Sequence, residues 1–487
     1  MVEKLEKRAL PSVSVVGMGY VGLCTAACLA NRGFRVYGVE VDKEKCEKIS
    51  SGVSPIHEPG LDSLLRSTVN SGMLSCEPDY FEAMSRSGIT FLTVGTPSMP
   101  SGEIDLRFIE SAAKEVGRCL AEMRKKKGGG YHVVAVKSTV IPGTTEGKVR
   151  PIIEAASSLG VPADVGLCVN PEFLREGTAI EDTMEPDAII IGSSDARAVS
   201  MMKTLFRKFY WYKMPPMITL SSSSAEFVKY SINTFRATQL SFLNTLANLT
   251  ERVQSADVDE VIRGLSTVTG LDRRYLRSGL GFGGSCLPKD VRALIALCRS
   301  CGVNPSILEA SLDINETQPL KVLHLARRVL GDLSGKRIAV LGLAFKAGTD
   351  DVRESVAIRI ANALSAAGAQ VSAFDPRAMM PAKARLDSNV ALASEAISCI
   401  RGSDLCVIAT EWDEFRRIQP SVFLKMMRNP LVIDGKRLLD QEKFSSQGVE
   451  VIELGRYLDE QTLGVLAKES RQIVPLYSTP GKVTEKE

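Results

Sequence analysis

Histidine is almost missing from this chain: three among 487 residues, His57, His132 and His324. None stands at a metal-ligand spacing, so the sequence offers no metal mechanism. Net charge is nearly missing too, with 60 basic residues against 57 acidic ones and a balance of +3. A nucleic-acid surface needs a basic excess, and anionic ligands here must instead be held by local groups. No apolar run approaches the ~18 residues of a membrane span, and the opening stretch MVEKLEKRALPS lacks the apolar centre of a secretory signal. The expectation is a cytoplasmic protein with neither membrane nor nucleic-acid partner. Its eleven cysteines are odd in number and scattered singly through apolar segments, which fits reduced thiols better than a disulfide framework. Cys298 and Cys301 form a lone CxxC inside an apolar helical pattern and read as core filling.

The length suggests about three domains at the usual ~150 residues each. Residues 13–42 read strand, turn, helix, strand: VSVVG, then Gly17-x-Gly19-x-x-Gly22, then an Ala/Leu-rich helix, then RVYGVEVD. In that setting the glycines let a backbone reach a pyrophosphate at a helix N-terminus, and Glu40 can accept hydrogen bonds from a ribose diol. A carboxylate there repels a 2′-phosphate, which favours NAD over NADP. Further strands at ITFLTVGTP, YHVVAVKSTV, VGLCVNPEFL and DAIIIG extend a mostly parallel sheet to about residue 215. Ligands gather at the C-terminal ends of such strands, where Thr96, Ser138-Thr139 and Asn170-Pro171-Glu172 stand. Glu172 and Glu176, four apart, would share one side of a helical turn.

Residues 221–254 predict one long helix, with serines to cap it and Val228, Ile232, Phe235, Phe242, Leu246, Leu249 and Val253 as its apolar stripe. Lys229 and Asn233 sit beside that stripe and can face a cleft. Then comes GLGFGGSCLPKD, residues 279–290. Its glycines, Gly283 among them, let a ligand approach the main chain. Ser285 can cap a helix that Pro288 suits, which puts Cys286 where the helix dipole favours thiolate, with Asp290 one turn on. A second open sheet begins near residue 331 with KRIAVLG, SAFDP, DLCVIATEW and PLVIDGKR. Gly342 lacks the full glycine pattern, so a second NAD is not expected. The expected architecture is α/β: two Rossmann-like open parallel-sheet domains, 1–215 and 331–470, joined by a central all-helical domain, 216–330, with a long spine helix. A disordered tail is expected at 471–487.

The stretch 279–290 resembles the active-site segment of the nucleotide-sugar dehydrogenases, the family that turns UDP-glucose or GDP-mannose into the uronic acid. The motif FKAGTDDVRES supports the resemblance, which covers roughly residues 12–460. It implies NAD as cofactor, a nucleotide-sugar substrate, and a homodimer or higher homo-oligomer through the long central helix. It further implies two successive oxidations at C6, passing through a thiohemiacetal and a thioester on Cys286. In this resemblance Lys229 and Asp290, with a bound water, assist the first deprotonation; Glu172 is the general base for hydrolysis; Thr139 helps position water; and Lys229 and Asn233 stabilise oxyanions. Cofactor contacts implied beside Gly17, Gly19, Gly22 and Glu40 are Lys45, Thr96, Thr139, Glu176 and Arg353. Substrate contacts implied beside Lys229 and Asn233 are Phe173, Leu174, Tyr275, Gly283, Phe345 and Lys346.

The chain departs from the family pattern in two places. Arg273 and Arg274 abut Tyr275 where several more residues are usual, and Lys436 stands where arginine is frequent, which keeps the charge but loses a planar fork. TEWDEF and the helix 225–250 look like UDP-glucose enzymes, whereas SGLGFGGSCLPKDVRAL is nearly that of GDP-mannose enzymes. UDP-N-acetylmannosamine enzymes usually carry histidine where Ser285 stands. UDP-glucose is therefore the expected substrate and GDP-mannose the alternative. A catalytically idle nucleotide-sugar binder would have no need of Cys286, Lys229 and Asp290 together, and a one-step alcohol dehydrogenase would leave the cysteine segment unexplained.

Overall fold

The computed structural model describes residues 10–127 and 130–458; the tail expected at 471–487 lies outside them. The central strands of two open sheets are apolar and buried on both faces, as parallel strands covered by crossover helices must be. The first contains β1 (Val13–Val16), β2 (Val36–Val39), β3 (Leu74–Glu77), β4 (Ile89–Leu92), β5 (His132–Val136), β6 (Val165–Val169), β7 (Ile189–Gly192) and β8 (Met217–Leu220), in the spatial order 3-2-1-4-5-6-7-8. Every neighbouring pair is parallel except β6 and β7, which meet antiparallel at Val169 and Gly192. Strand order reverses between β1 and β4, and the crevice beyond their C-terminal ends is where such a sheet takes a ligand.

The second sheet contains β9 (Arg337–Leu341), β10 (Gln370–Phe374), β11 (Ala391–Leu392), β12 (Leu405–Ile408), β13 (Leu431–Asp434) and β14 (Glu450–Glu453), in the order 11-10-9-12-13-14, all parallel. Each sheet carries one apolar core on either face. A helical region lies between them, led by the spine helix Ser222–Thr250, whose cap is the Ser221 hydroxyl accepting from the Ser224 amide.

Three expectations are corrected here. The first sheet runs to Leu220, because β8 pairs with β7 beyond the boundary expected at 215; its half-exposed MITL lacks a buried strand's apolar signature. Likewise the helix Leu320–Leu330, placed in the central domain by sequence, buries Val322, Leu325, Ala326 and Val329 in the core of the second sheet. The spine helix buries only part of the expected stripe. Val228 and Leu246 pack against buried cores, but Phe235, Phe242 and Leu249 are 53–58% exposed, Val253 lies beyond the helix end at Thr250, and Ala225, Tyr230, Ala237, Ser241, Leu243 and Ala247 are buried instead. Small residues such as Ala237 and Ser241 let the helices Leu287–Ser300 and Ser306–Thr317 approach closely. No helix among the described residues is long and apolar enough to cross a membrane.

Candidate active site

The turn after β1 gives its three glycines three different jobs. Gly17 has φ +92°, and a Cβ there would lie 2.9 Å from the Val94 Cα. A Cβ on Gly22 would meet the Gly17 carbonyl at 2.0 Å and the Thr93 hydroxyl at 2.7 Å, so the helix Tyr20–Asn31 can sit this close only without a side chain. Gly19 caps that helix and faces open space, with nothing within 4 Å of its would-be Cβ. No side chain caps the helix and no acid stands in its first turn, so its leading amides can serve an anion. At the end of β2 the Glu40 carboxylate is 8% exposed and pairs with Lys45 at 2.9 Å. Glycine turn and carboxylate together fit the pyrophosphate and ribose of NAD. Thr96 and Thr139 meet beyond β4 and β5, where the Thr96 hydroxyl donates to the Thr139 carbonyl at 2.8 Å.

Cys286 is an exposed residue, and the groups about it are buried: Glu172 9%, Lys229 5%, Asn233 6% and Asp290 1% exposed. Lys229 Nζ pairs with Glu172 Oε1 at 2.8 Å, and the Leu174 amide donates to Glu172 Oε2 at 2.6 Å. One turn along the spine, Asn233 Nδ2 donates to Asp290 Oδ2 at 2.6 Å, and Lys289 holds Asp290 Oδ1 at 2.5 Å. Burial alone would raise the Glu172 pKa, but Lys229 reverses this and holds the carboxylate below its ordinary range. Burial likewise works against the Lys229 cation; Glu172, Cys286 and Asp290 overcome it and hold its pKa above the ordinary value. This is a site that keeps an ammonium and a carboxylate charged beside a sulfur.

The surroundings of Cys286 work against the thiolate that the sequence suggests. Protein surrounds the thiol on most sides, and this desolvation raises its pKa; Lys229 opposes the rise, while Glu172 and Asp290 add to it. Nor does Ser285 cap the helix Leu287–Ser300. Cys286 is the capping residue, and the Ser285 hydroxyl turns back to Glu176 Oε1 at 3.2 Å and to the Cys286 sulfur at 3.4 Å. Glu172 and Glu176 also do not share a helical turn, since residues 171–175 are irregular beyond Pro171. Glu172 points to the spine helix and Glu176 to the second domain, where Arg353 reaches it at 3.3 Å while holding Asp351 at 2.6 Å. Arg175, a conceivable partner for either, pairs with Asp182 at 2.6 Å. Of the CxxC pair, Cys298 packs in the core under the spine helix, but Cys301 ends its helix exposed.

Phe345 packs its ring against Gly284, where a Cβ would come within 2.7 Å of it, and Gly283 leaves room for the Glu354 carbonyl in the same way. Lys346 lies beside the Phe345 ring, and burial lowers its pKa. Phe173 sits under Lys229 with Val169, Ile190 and Ala225, and Leu174 packs on the first core. Tyr275 stacks under the Arg236 guanidinium, 4.3 Å from its ring centre. Lys436 pairs with Glu411 at 3.2 Å.

Two residues that shape the site have no sequence signal of their own. Glu58 is 3% exposed and accepts from the Gly177 and Ala179 amides, both at 2.7 Å, and from the Tyr20 hydroxyl, which ties the Glu176 loop to the dinucleotide helix. Lys137 donates to Asn170 at 3.0 Å, and burial drops its pKa to about 8. Only tertiary contact marks them, although KSTV beyond β5 was a hint.

Comparison with known proteins places this geometry. Models of the UDP-glucose/GDP-mannose dehydrogenase family match across the chain: the NAD binding domain over residues 11–210, the central domain over 223–317 and the UDP binding domain over 339–441. The UDP-glucose 6-dehydrogenase TuaD of Bacillus subtilis is 37% identical over 92% of this chain and 94% of its own length. AglM, the UDP-glucose 6-dehydrogenase of Haloferax volcanii, is 39% identical over 88% and 98%. A solved UDP-glucose dehydrogenase from Pyrobaculum islandicum superposes with a TM-score of 0.83 at 36% identity, covering 93% of this chain and 99% of that one.

Proposed function

The chain belongs to the UDP-glucose/GDP-mannose dehydrogenase family and is an NAD-dependent nucleotide-sugar dehydrogenase, and on that footing we propose that it oxidises UDP-glucose at C6 to the carboxylate in two steps. The observation that carries the proposal is an exposed Cys286 ringed by buried Lys229, Asn233, Asp290 and Glu172, between a dinucleotide turn and a second open sheet. Gly17, Gly19, Gly22, Glu40, Lys45, Thr96 and Arg353 would hold NAD, which when bound supplies the hydride acceptor. Lys229 and Asp290, with a bound water, assist the first deprotonation: Asp290 accepts the C6 hydroxyl proton through the water, and the Lys229 ammonium stabilises the oxygen that loses it. Cys286 adds to the resulting aldehyde and retains it as a thiohemiacetal, so no free aldehyde escapes. Lys229 and Asn233 present an ammonium and an amide N–H to the oxygen on C6, where they stabilise the oxyanion more than the neutral alcohol.

A second hydride loss, to a second NAD, would turn the thiohemiacetal into a thioester, and the last step is hydrolysis of that thioester. Glu172, ionised and buried, accepts a proton from the attacking water, and Thr139 helps position that water. Phe345, Lys346, Gly283 and Tyr275 surround the nucleotide sugar, with Phe173 and Leu174 lining the cleft floor. Exposed Phe235, Phe242 and Leu249, seven residues apart on the spine helix, support a homodimer joined along that face. Eleven free thiols support a reducing, cytoplasmic setting.

Incubation with each sugar nucleotide while NADH is followed tests the proposal. Two NADH per UDP-glucose consumed is the expected result. The same stoichiometry with GDP-mannose alone would transfer the reading to that substrate, which the cysteine segment resembles. One NADH per sugar would overturn the four-electron scheme.

A further inference from the structure

A thiol whose pKa is raised needs somewhere to send its proton before its sulfur can attack. The buried groups beside Cys286 are mostly committed. Lys229 is already an ammonium engaged with Glu172, both oxygens of Glu172 are occupied by Lys229 and the Leu174 amide, and both oxygens of Asp290 are occupied by Asn233 and Lys289. Glu176 differs. Its Oε2 is buried with no hydrogen-bond partner, and its Oε1, which also accepts from Arg353 at 3.3 Å, faces the Ser285 hydroxyl at 3.2 Å, which in turn lies 3.4 Å from the Cys286 sulfur. Sulfur, hydroxyl and carboxylate form one unbroken hydrogen-bonded line.

We propose that Ser285 relays the Cys286 proton to Glu176 as the thiol adds to the aldehyde, an inference that rests on the thiohemiacetal step above. As the Sγ–C6 bond forms, the carbonyl π pair moves onto oxygen, where Lys229 and Asn233 receive it. The S–H proton passes to Ser285 Oγ while the Ser285 proton passes to Glu176 Oε1. Nothing is oxidised in this step, and the two protons moved equal the two bonds broken and made. The groups facing Glu176 suit it to the task. Burial and Asp351 push its pKa up, Arg353 and the Ser285 hydroxyl pull it down, and the carboxyl settles at about 7. Lys346 and Cys24 also face it, from the second domain and from the helix Tyr20–Asn31. A carboxylate poised there can accept a proton near neutrality and release it afterwards.

The test is the pH dependence of Cys286 alkylation by iodoacetamide in the full chain with saturating NAD⁺, read by mass spectrometry of the tryptic peptide 278–289. Because Glu176 must be ionised to accept the proton, the wild-type rate should rise through an inflection near pH 7. Ser285→Ala should remove that inflection and slow alkylation at neutral pH by about 10²-fold, the low end for general-base assistance. Ser285→Thr, which keeps the hydroxyl, should preserve both features, and Glu176→Gln should abolish the inflection. Alkylation of exposed Cys301 in the same samples reports folding and should be unchanged. An inflection that survives in Ser285→Ala, or a Ser285→Thr protein that behaves as Ser285→Ala, overturns the relay. The wild-type NADH count, measured alongside, fails separately: one NADH per sugar removes the thiohemiacetal step while the alkylation profile still decides whether the proton path exists.

Discussion

Replacing Lys229 with methionine keeps an unbranched side chain one atom shorter and deletes its charge. In the native protein Lys229 and Glu172 are 5% and 9% exposed and 2.8 Å apart, so water can do little to screen either once the other is gone. What remains for Glu172 is the Leu174 amide and the more distant charge of Lys137. Removing one member of a buried pair typically costs about 3–5 kcal/mol, because the other is left as an uncompensated buried charge. For a domain the size of the first one, that corresponds to a fall in Tm of roughly 6–20 °C. The pH dependence follows from the directions of the two shifts. Glu172 is held below its ordinary 4.5, so its share of the stability is present above that pH and is lost as pH falls through the lowered value. Lys229 is held above its ordinary 10.5, so its share is complete below that pH and is lost only as pH rises through the raised value. The variant should therefore be most deficient between these limits and should approach the wild type as pH falls towards 4.5, where its Glu172 takes up a proton and stops being a buried charge. Thermal unfolding followed by circular dichroism from mildly acidic to mildly alkaline pH measures this. The double variant Lys229→Met with Glu172→Gln should recover most of the loss at neutral pH. If single and double variants melt together, or if the deficit grows on acidification, Lys229 is not what keeps Glu172 charged.

Gly22→Ala would set a Cβ 2.0 Å from the Gly17 carbonyl and push the helix Tyr20–Asn31 off the dinucleotide turn; the KM for NAD should rise roughly 10²-fold, as for a 1 Å misplacement, with the second sheet's stability unchanged. Cys286→Ser should form no uronate above background, and product analysis by mass spectrometry that found normal uronate would rule out covalent retention. Phe242→Asp, at a site 53% exposed in the single chain, should convert a dimer to monomer in size exclusion with light scattering; an unchanged mass would clear the spine helix of any role in assembly.

Local chemistry decided most of what could be read in the chain. Where a residue type does something at its own position, the pattern is legible: glycines that admit a backbone turn, apolar runs long enough for buried strands, a cysteine behind glycines and ahead of an aspartate. Reading failed where two segments compete for the same neighbour. Edge strands β3 and β8 carry polar or exposed side chains because only one flank is paired, so no apolar signature marks them. The spine helix offered more than one face, and Phe235, Phe242 and Leu249 misled, since the helix packs through small residues together with Tyr230 and Leu243. Glu58 became important only because folding brings the amides of Gly177 and Ala179 to it from far along the chain.

By itself the sequence determined the two open sheets, the long helix between them, the dinucleotide turn and the place of the candidate sulfur, because each depends on spacing within a few residues. The direction in which its surroundings shift that thiol's pKa, the separation of Glu172 from Glu176, and the turning of Ser285 from a helix cap into a bridge were decided only by the tertiary structure. Those properties depend on burial and on partners supplied by other segments, and desolvation by neighbours that are distant along the chain cannot be read from the residues beside the cysteine.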